Sequence, residues 1–201
     1  MSTYVLGLTG QTGAGKSTVR EILAQRNLPV IDADTVAKEV INDSKQCLAD
    51  LAIEFSVSIL NDNGSLNREK LADIVFSDKS KLRRLNIITF PYIREKIKEL
   101  LIEQARKAVP LIIIDAPTLF ESGCDKLCSG ILSITAPEKD RLNRIILRDR
   151  ISDKQARQRI VSQNVEEFYT SRSNYVIINN KDIDELKFNT FKVLEMVEKS
   201  L

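Results

Sequence analysis

The stretch Gly10-Gln11-Thr12-Gly13-Ala14-Gly15-Lys16-Ser17 fits the phosphate-binding loop pattern G-x-x-x-x-G-K-[ST], and its surroundings decide how the chain folds. Before it, residues 4–8 (Tyr-Val-Leu-Gly-Leu) form the short apolar run of a buried parallel strand. After it, Val19, Ile22 and Leu23 recur at helical spacing. A strand, a glycine-rich turn and a helix in that order make a site for a nucleoside triphosphate. Gly10, Gly13 and Gly15 let the backbone curl so that its N–H groups converge on phosphate oxygens, and the following helix adds the positive end of its dipole. The residues expected against the phosphates are therefore Gly10, Thr12, Gly13, Ala14, Gly15, Lys16, Ser17 and Thr18. Lys16 reaches the β- and γ-phosphates, and the Ser17 hydroxyl can hold Mg²⁺.

Working outward, apolar runs bounded by turns recur at 30–31, 111–114, 131–134 and 176–178. Helical patterns separate most of them, which predicts an α/β fold: a five-stranded parallel sheet with helices on both faces. Residues 1–34 and 111–201 form the nucleotide-binding core. The segment 35–110 is far longer than one crossover helix and reads as a helical insertion. Its patterns run over about 35–55 and 67–89, divided by the turn-rich Asn61-Asp62-Asn63-Gly64-Ser65. Pro91 is expected to break the second pattern, with a third resuming over 92–107. By analogy of fold alone, nucleotide-kinase-like enzymes bind their acceptor in such an insertion.

Two carboxylate clusters fall at strand ends, the edge of an open α/β sheet where ligands bind. In Val30-Ile31-Asp32-Ala33-Asp34, strand alternation would put Asp32 and Asp34 on one side, one facing Mg²⁺ and an acceptor hydroxyl, the other capping the next helix. The residues do not say which does which. An aspartate, ionised at neutral pH, can take the proton there. Leu111-Ile112-Ile113-Ile114-Asp115 ends in an acid able to hold a metal's water shell. Glu121 is a weaker candidate, read as structural.

After Pro137, Arg141, Arg144 and Arg148 fall at i, i+3 and i+7, and Ser152 to Gln155 has the form of a capping box opening a helix with Arg157 and Arg159. This arginine-rich pair, over about 137–165, reads as a lid whose guanidinium groups meet phosphate.

Composition limits the rest. The chain has 201 residues, 43% of them hydrophobic, enough for one α/β core with an insertion. A net charge of +2 gives no reason to expect a nucleic-acid or membrane surface. Three cysteines without a C-x-x-C unit, no histidine, no signal-like segment and no long apolar run fit a reduced cytoplasmic protein without a structural zinc site. Without histidine, proton transfer falls to a carboxylate, a lysine or water.

The motif order resembles the dephospho-CoA kinases over nearly the whole chain. It runs from Leu8-Thr9-Gly10 to Lys16-Ser17-Thr18, then Asp32-Ala33-Asp34 with Ala37, Gly64-Ser65-Leu66 with Arg68, Val75-Phe76-Ser77-Asp78 and Pro91-Tyr92-Ile93-Arg94. It continues through Asp115-Ala116-Pro117 with Leu119-Phe120-Glu121, Ala136-Pro137-Glu138, Arg148-Asp149, Gln155-Ala156-Arg157 and Tyr175-Val176-Ile177. Phe90, Thr118, Asn67 and Ile178 depart from the family's usual histidine, leucine, aspartate and acid.

That resemblance implies a P-loop NTPase three-layer fold, and ATP-dependent phosphorylation of the ribose 3′-hydroxyl of dephospho-CoA with Mg²⁺. The small molecule would be the partner; no nucleic acid, membrane or obligatory protein partner is indicated. It implies Asp34 as the base, Lys16 and Arg144 on the transferring phosphoryl group, Arg148 as a lid residue and Ser17 on Mg²⁺; Asp34 and Asp115 are the carboxylates that the strand-end reading puts beside that metal. Its rivals are another P-loop kinase, acting on a nucleoside monophosphate or sugar, and a non-catalytic nucleotide-binding module. A guanine-reading Asn-Lys-x-Asp segment, which a GTPase switch needs, is absent.

Overall fold

The computed structural model describes residues 3–76 and 78–201. Strand β1 (Tyr4–Gly10) is the middle of a parallel sheet completed by β2 (Val30–Asp32), β3 (Leu111–Asp115), β4 (Gly130–Thr135) and β5 (Tyr175–Ile178), in the order β2-β3-β1-β4-β5. Register places Leu8 beside Asp115 and Gly10 beside Ile134, so the C-terminal ends of β1, β3 and β4 come together.

The central strands are apolar throughout because both faces are covered. Alternation sends Val5, Ile112 and Ile114 to one face, where they meet Val36, Leu51 and Ile97 of the insertion. Leu6, Leu8, Ile113 and Ile134 go to the other face, against Ile22 and Leu23 of α1 (Lys16–Ala24) and Leu194 and Val197 of α9 (Ile183–Glu198). This is the expected three-layer α/β arrangement. Each fully buried Leu or Ile contributes about 1.5–3 kcal/mol relative to an exposed one.

The helices of the insertion differ from their expected bounds. The first pattern divides into α2 (Ala33–Asp43) and α3 (Lys45–Phe55), because the Ser44 hydroxyl accepts from the Cys47 N–H at 3.2 Å and starts a new helix. The second divides into α4 (Arg68–Phe76) and α5 (Lys79–Arg106), where the Asp78 carboxylate accepts from the Ser80 N–H at 2.7 Å. Ser77, within the quoted Val75 to Asp78 segment, lies outside the described residues.

Pro91 does not end the helix as expected: α5 runs through it for 28 residues. Pro91 and Ile87, the residue one turn earlier whose carbonyl loses its donor, are both exposed, so water can replace the missing bond. Phe90 packs against the core beside the sheet.

Beyond β4, α6 (Glu138–Asp149) and α7 (Asp153–Val161) share a small core of Leu142, Ile145, Ala156 and Ile160. The predicted capping box at Ser152 and Gln155 is present in both halves. A short α8 (Glu166–Thr170) leads to β5. No helix among the described residues is long and apolar enough to cross a membrane.

Candidate active site

The loop between β1 and α1 is shaped by two left-handed glycines. At Gly13, φ is +76° and a Cβ would come within 2.7 Å of the Arg141 carbonyl oxygen; at Gly15, φ is +103° and a Cβ would collide with the Asn179 side-chain amide. No side chain among the described residues caps α1, so its first-turn N–H groups remain for an anion.

The loop's carbonyls are tied to the rest of the core. Ala14 O accepts from Asn179 Nδ2 at 2.8 Å, while one Arg144 nitrogen donates to Gly13 O at 3.3 Å and to Ala14 O at 3.4 Å. The other donates to Asn179 O at 3.2 Å. Ala14 is buried, and its amide donates to Gln11 O at 3.1 Å, so it shapes the loop rather than lining the cavity. The Thr12 N–H is likewise committed, to Gln163 Oε1 at 2.8 Å. Gly10, Thr12, Gly13, Gly15, Lys16, Ser17 and Thr18 line a cavity of about 450 Å³ together with Arg20, Asp34, Asp115, Arg144, Arg148 and Gln163.

At the cavity floor Lys16 pairs with Asp115, whose side chain is only 3% exposed. The other Asp115 oxygen accepts from Arg20 at 3.3 Å, and Arg20 reaches Asp32 at 2.9 Å. Lys16 and Arg20 are four residues apart on α1, hence on one face.

Asp32 and Asp34, at the end of β2 and just beyond it, do not alternate along a strand. β2 stops at Asp32, whose Oδ1 accepts from the N–H groups of Asp34 (2.9 Å) and Thr35 (3.2 Å) and caps α2. Capping by Asp32 starts the helix one residue later and places Asp34 in its first turn, where Asp34 lines the cavity and Asp32 does not. Asp34 is open to solvent along the cavity, yet the protein surrounding its other sides raises its pKa. Partial burial is the main cause and the Asp32 carboxylate adds to it; Lys16 opposes, Asp115 raises further and Lys38 lowers.

The arginine stripe divides. Arg141 turns inward and is 4% exposed, its Nε without a partner among the described residues, and desolvation lowers its pKa. Arg144 and Arg148 line the cavity. Arg148 also pairs with Asp149 at 2.7 Å, raising its own pKa through that hydrogen bond. Arg157 pairs with Asp153 at 2.8 Å and Arg159 with Asp149; neither lines the cavity, which corrects their expected phosphate contact. Glu121 accepts from Asn164 Nδ2 at 2.7 Å, and burial raises its pKa.

Sequence reasoning missed Arg20, Gln163 and Asn179. Spacing from Lys16 could have found Arg20, and the position of Asn179 just beyond β5, at the ligand-binding edge of the sheet, was a second signal. Gln163 belongs to the Ser162-Gln163 pair that the family resemblance also covers, with no role assigned to it there; it reaches the loop only through the fold.

For a metal, the cavity offers the Ser17 hydroxyl and the carboxylates of Asp34 and Asp115, hard oxygen donors that suit Mg²⁺. Among the described residues no group of three or more His, Cys, Asp or Glu could hold a metal ion by itself. Such a sparse donor set fits Mg²⁺, which keeps several waters and is shared with substrate phosphates.

A family model described as dephospho-CoA kinase matches residues 4–185. The dephospho-CoA kinase of Fusobacterium nucleatum is 40% identical over 92% of this chain and 94% of its own. A solved protein of Thermus thermophilus is 30% identical with a TM-score of 0.77, covering 100% of this chain and 99% of its own. The solved dephospho-CoA kinase of Campylobacter jejuni is 27% identical with a TM-score of 0.72, covering 98% of each chain.

Proposed function

The chain belongs to the dephospho-CoA kinase family, and on that premise we propose that it transfers the γ-phosphoryl group of ATP to the ribose 3′-hydroxyl of dephospho-CoA, giving coenzyme A and ADP. The observation that carries this reading is one cavity in which Lys16, Arg144 and Arg148 face the same space as Asp34. Cations to hold a phosphoryl group and a carboxylate to receive a proton are the groups this transfer needs.

The loop's glycines and the first turn of α1 bind the β- and γ-phosphates, with Lys16 placing its charge between them. Asp34 orients the acceptor hydroxyl and takes its proton as the oxygen bonds to the γ-phosphorus and the bond to the β-phosphate oxygen breaks. Arg144 and Arg148 meet the charge spread over the equatorial oxygens. Arg144 is well placed for this, because its contacts with Gly13, Ala14 and Asn179 fix it against the loop that holds the phosphates.

Mg²⁺ would be held by Ser17 and, through water, by Asp34 and Asp115, and would supply positive charge that offsets the charge of the phosphates. Both Asp115 oxygens already accept from Lys16 and Arg20, which favours the water-mediated role.

Residues 35–110 serve as the acceptor region and about 137–165 as the lid. We place the reaction in the cytoplasm, on small molecules and without nucleic acid or an obligatory protein partner. The near-neutral charge and the three free cysteines support that reading.

Purified protein with Mg²⁺ and ATP, offered dephospho-CoA, AMP, adenosine and gluconate in turn, should consume dephospho-CoA far faster than the others. Mass spectrometry should place the new phosphate on the ribose 3′-oxygen. No CoA under conditions where another acceptor is consumed would favour a nucleoside or sugar kinase instead.

A further inference from the structure

Helix α7 ends at Val161 with Ser162 as its cap, and the next two residues, Gln163 and Asn164, lie against the first half of the phosphate loop. Gln11 Nε2 donates to the Asn164 carbonyl at 3.3 Å, and the following loop residue, Thr12, donates its N–H to Gln163 Oε1 at 2.8 Å. Asn164 is held from its other side, where its Nδ2 donates to Glu121 at 2.7 Å. Two consecutive residues after α7 therefore clip two consecutive residues of the loop. Among the described residues between Arg150 and Val165, Gln163 alone lines the phosphate cavity.

The bond to Thr12 also fixes which way the carboxamide faces. A backbone N–H can only donate, so the atom opposite it is the oxygen, and the nitrogen is the other end of the group. Gln163 Nε2 makes no hydrogen bond among the described residues, and the side chain shares its cavity with Lys16, Asp34, Arg144 and Arg148. A group that accepts at one end and donates at the other relays the polarity of the Thr12 N–H farther into the cavity, and accepting from Thr12 makes the remaining N–H groups better donors.

We propose that Gln163 is a further catalytic residue, which donates an Nε2 hydrogen to an oxygen of the γ-phosphoryl group while its Oε1 stays on Thr12. The inference rests on the reading of the chain as an ATP-dependent kinase and adds a neutral, directed donor to the cations already facing that space. Such a donor strengthens where charge develops during transfer and leaves the net charge of the site unchanged. It also gives the clip a second use: the bond that pins the end of α7 to the loop completes the phosphate site.

The test compares the full chain with Gln163→Met, which keeps the length of the side chain and removes both ends of the carboxamide, and with Gln163→Ala. Each is titrated calorimetrically with ADP and with the β,γ-imido analogue of ATP, then assayed for turnover of ATP with dephospho-CoA. Both variants should bind ADP as the unmodified chain does and the analogue about tenfold more weakly, the worth of one hydrogen bond to a charged group. Their kcat should fall by about 10²–10³-fold, as on removing one preorganised donor. A side chain that only tethers the loop would weaken ADP and the analogue together, and that result overturns the proposal, as does a kcat near that of the unmodified chain. ADP is the internal reference for damage to the loop, so a variant with a lowered melting curve is judged by the same ratio. If the variants lose the preference for the analogue while the unmodified chain forms no CoA from dephospho-CoA, the proposed acceptor fails and Gln163 keeps its place on the γ-phosphoryl group.

Discussion

Lys16→Ala should cost stability as well as activity, because Lys16 is one half of a buried ion pair. Asp115 has one oxygen on Lys16 and the other on Arg20 at 3.3 Å, and its side chain is 3% exposed. Deleting the nearer cation leaves a buried carboxylate with a single long contact. One-sided removal of a buried pair costs about 3–5 kcal/mol. Arg20 remains and the cavity admits water, which puts the loss near the lower end, ~3 kcal/mol. For a domain of this size each kcal/mol moves Tm by about 2–4 °C, so the fall should be about 6–12 °C.

Adding Asp115→Asn removes the orphaned charge, and the double variant should melt higher than Lys16→Ala, with a coupling of about 1–3 kcal/mol. Phosphoryl transfer should stay down in both, by about 10²–10³-fold, since neither restores a cation aimed at the phosphates. Thermal melts and a coupled ADP assay on the four proteins of the cycle decide it. An unchanged melting curve for Lys16→Ala, or a double variant no more stable than the single, refutes the ion-pair reasoning; near-normal turnover removes Lys16 from the chemistry.

Asp34→Asn should lower kcat by about 10²–10⁴-fold and leave KM for ATP alone, whereas Asp32→Asn, which still caps α2, should do less. Steady-state kinetics showing Asp32→Asn to be the more damaging would exchange their roles. Because the base must be ionised and burial lifts its pKa, kcat/KM for the acceptor should fall as pH drops through a value higher than an aspartate's ordinary one. Asp32→Asn removes a neighbouring negative charge and should move that acid limb to lower pH; a limb that does not move detaches it from Asp34. Arg144→Ala should lose more kcat/KM than Arg148→Ala, since Arg144 braces Gly13, Ala14 and Asn179 while Arg148 has a surface partner in Asp149. Equal or negligible losses in both would return them to solvated lid residues.

The strands and the phosphate loop were legible because their signals are local: an apolar run buried on both faces, and glycines where no Cβ fits. The Asp32 to Asp34 junction was half legible. Two acids at a strand end are visible in sequence, but a cap that starts the helix at Ala33 replaces strand alternation with a helical turn. Arg141, Arg144 and Arg148 share a spacing yet have three surroundings, because burial depends on α8 and on the loop, which no periodicity reports. Lys16 was legible as a phosphate ligand and not as the partner of Asp115, since the two lie on different elements that only β1–β3 pairing brings together. Pro91 misled for a related reason: a helix packed along the sheet tolerates one missing bond that an isolated helix would not.

That missing bond has a mechanical consequence. A 28-residue helix is about 42 Å long, whereas the five-residue strand it leads into spans only about 17 Å. Ile93 and Ile97, just beyond Pro91, pack in the core with Ile112 and Ile114, so that half is clamped to the sheet. The half before Pro91 carries Leu85 and, with α4, one wall of a small apolar cavity that Ile41 of α2 closes on the other side. Where a proline has already removed one rung of the ladder, bending stiffness is lowest. The helix is in effect a beam with a notch inside its seat, since Leu85, Ile88 and Phe90 before Pro91 pack against the same core, and a bend between the two halves has its softest point at Pro91.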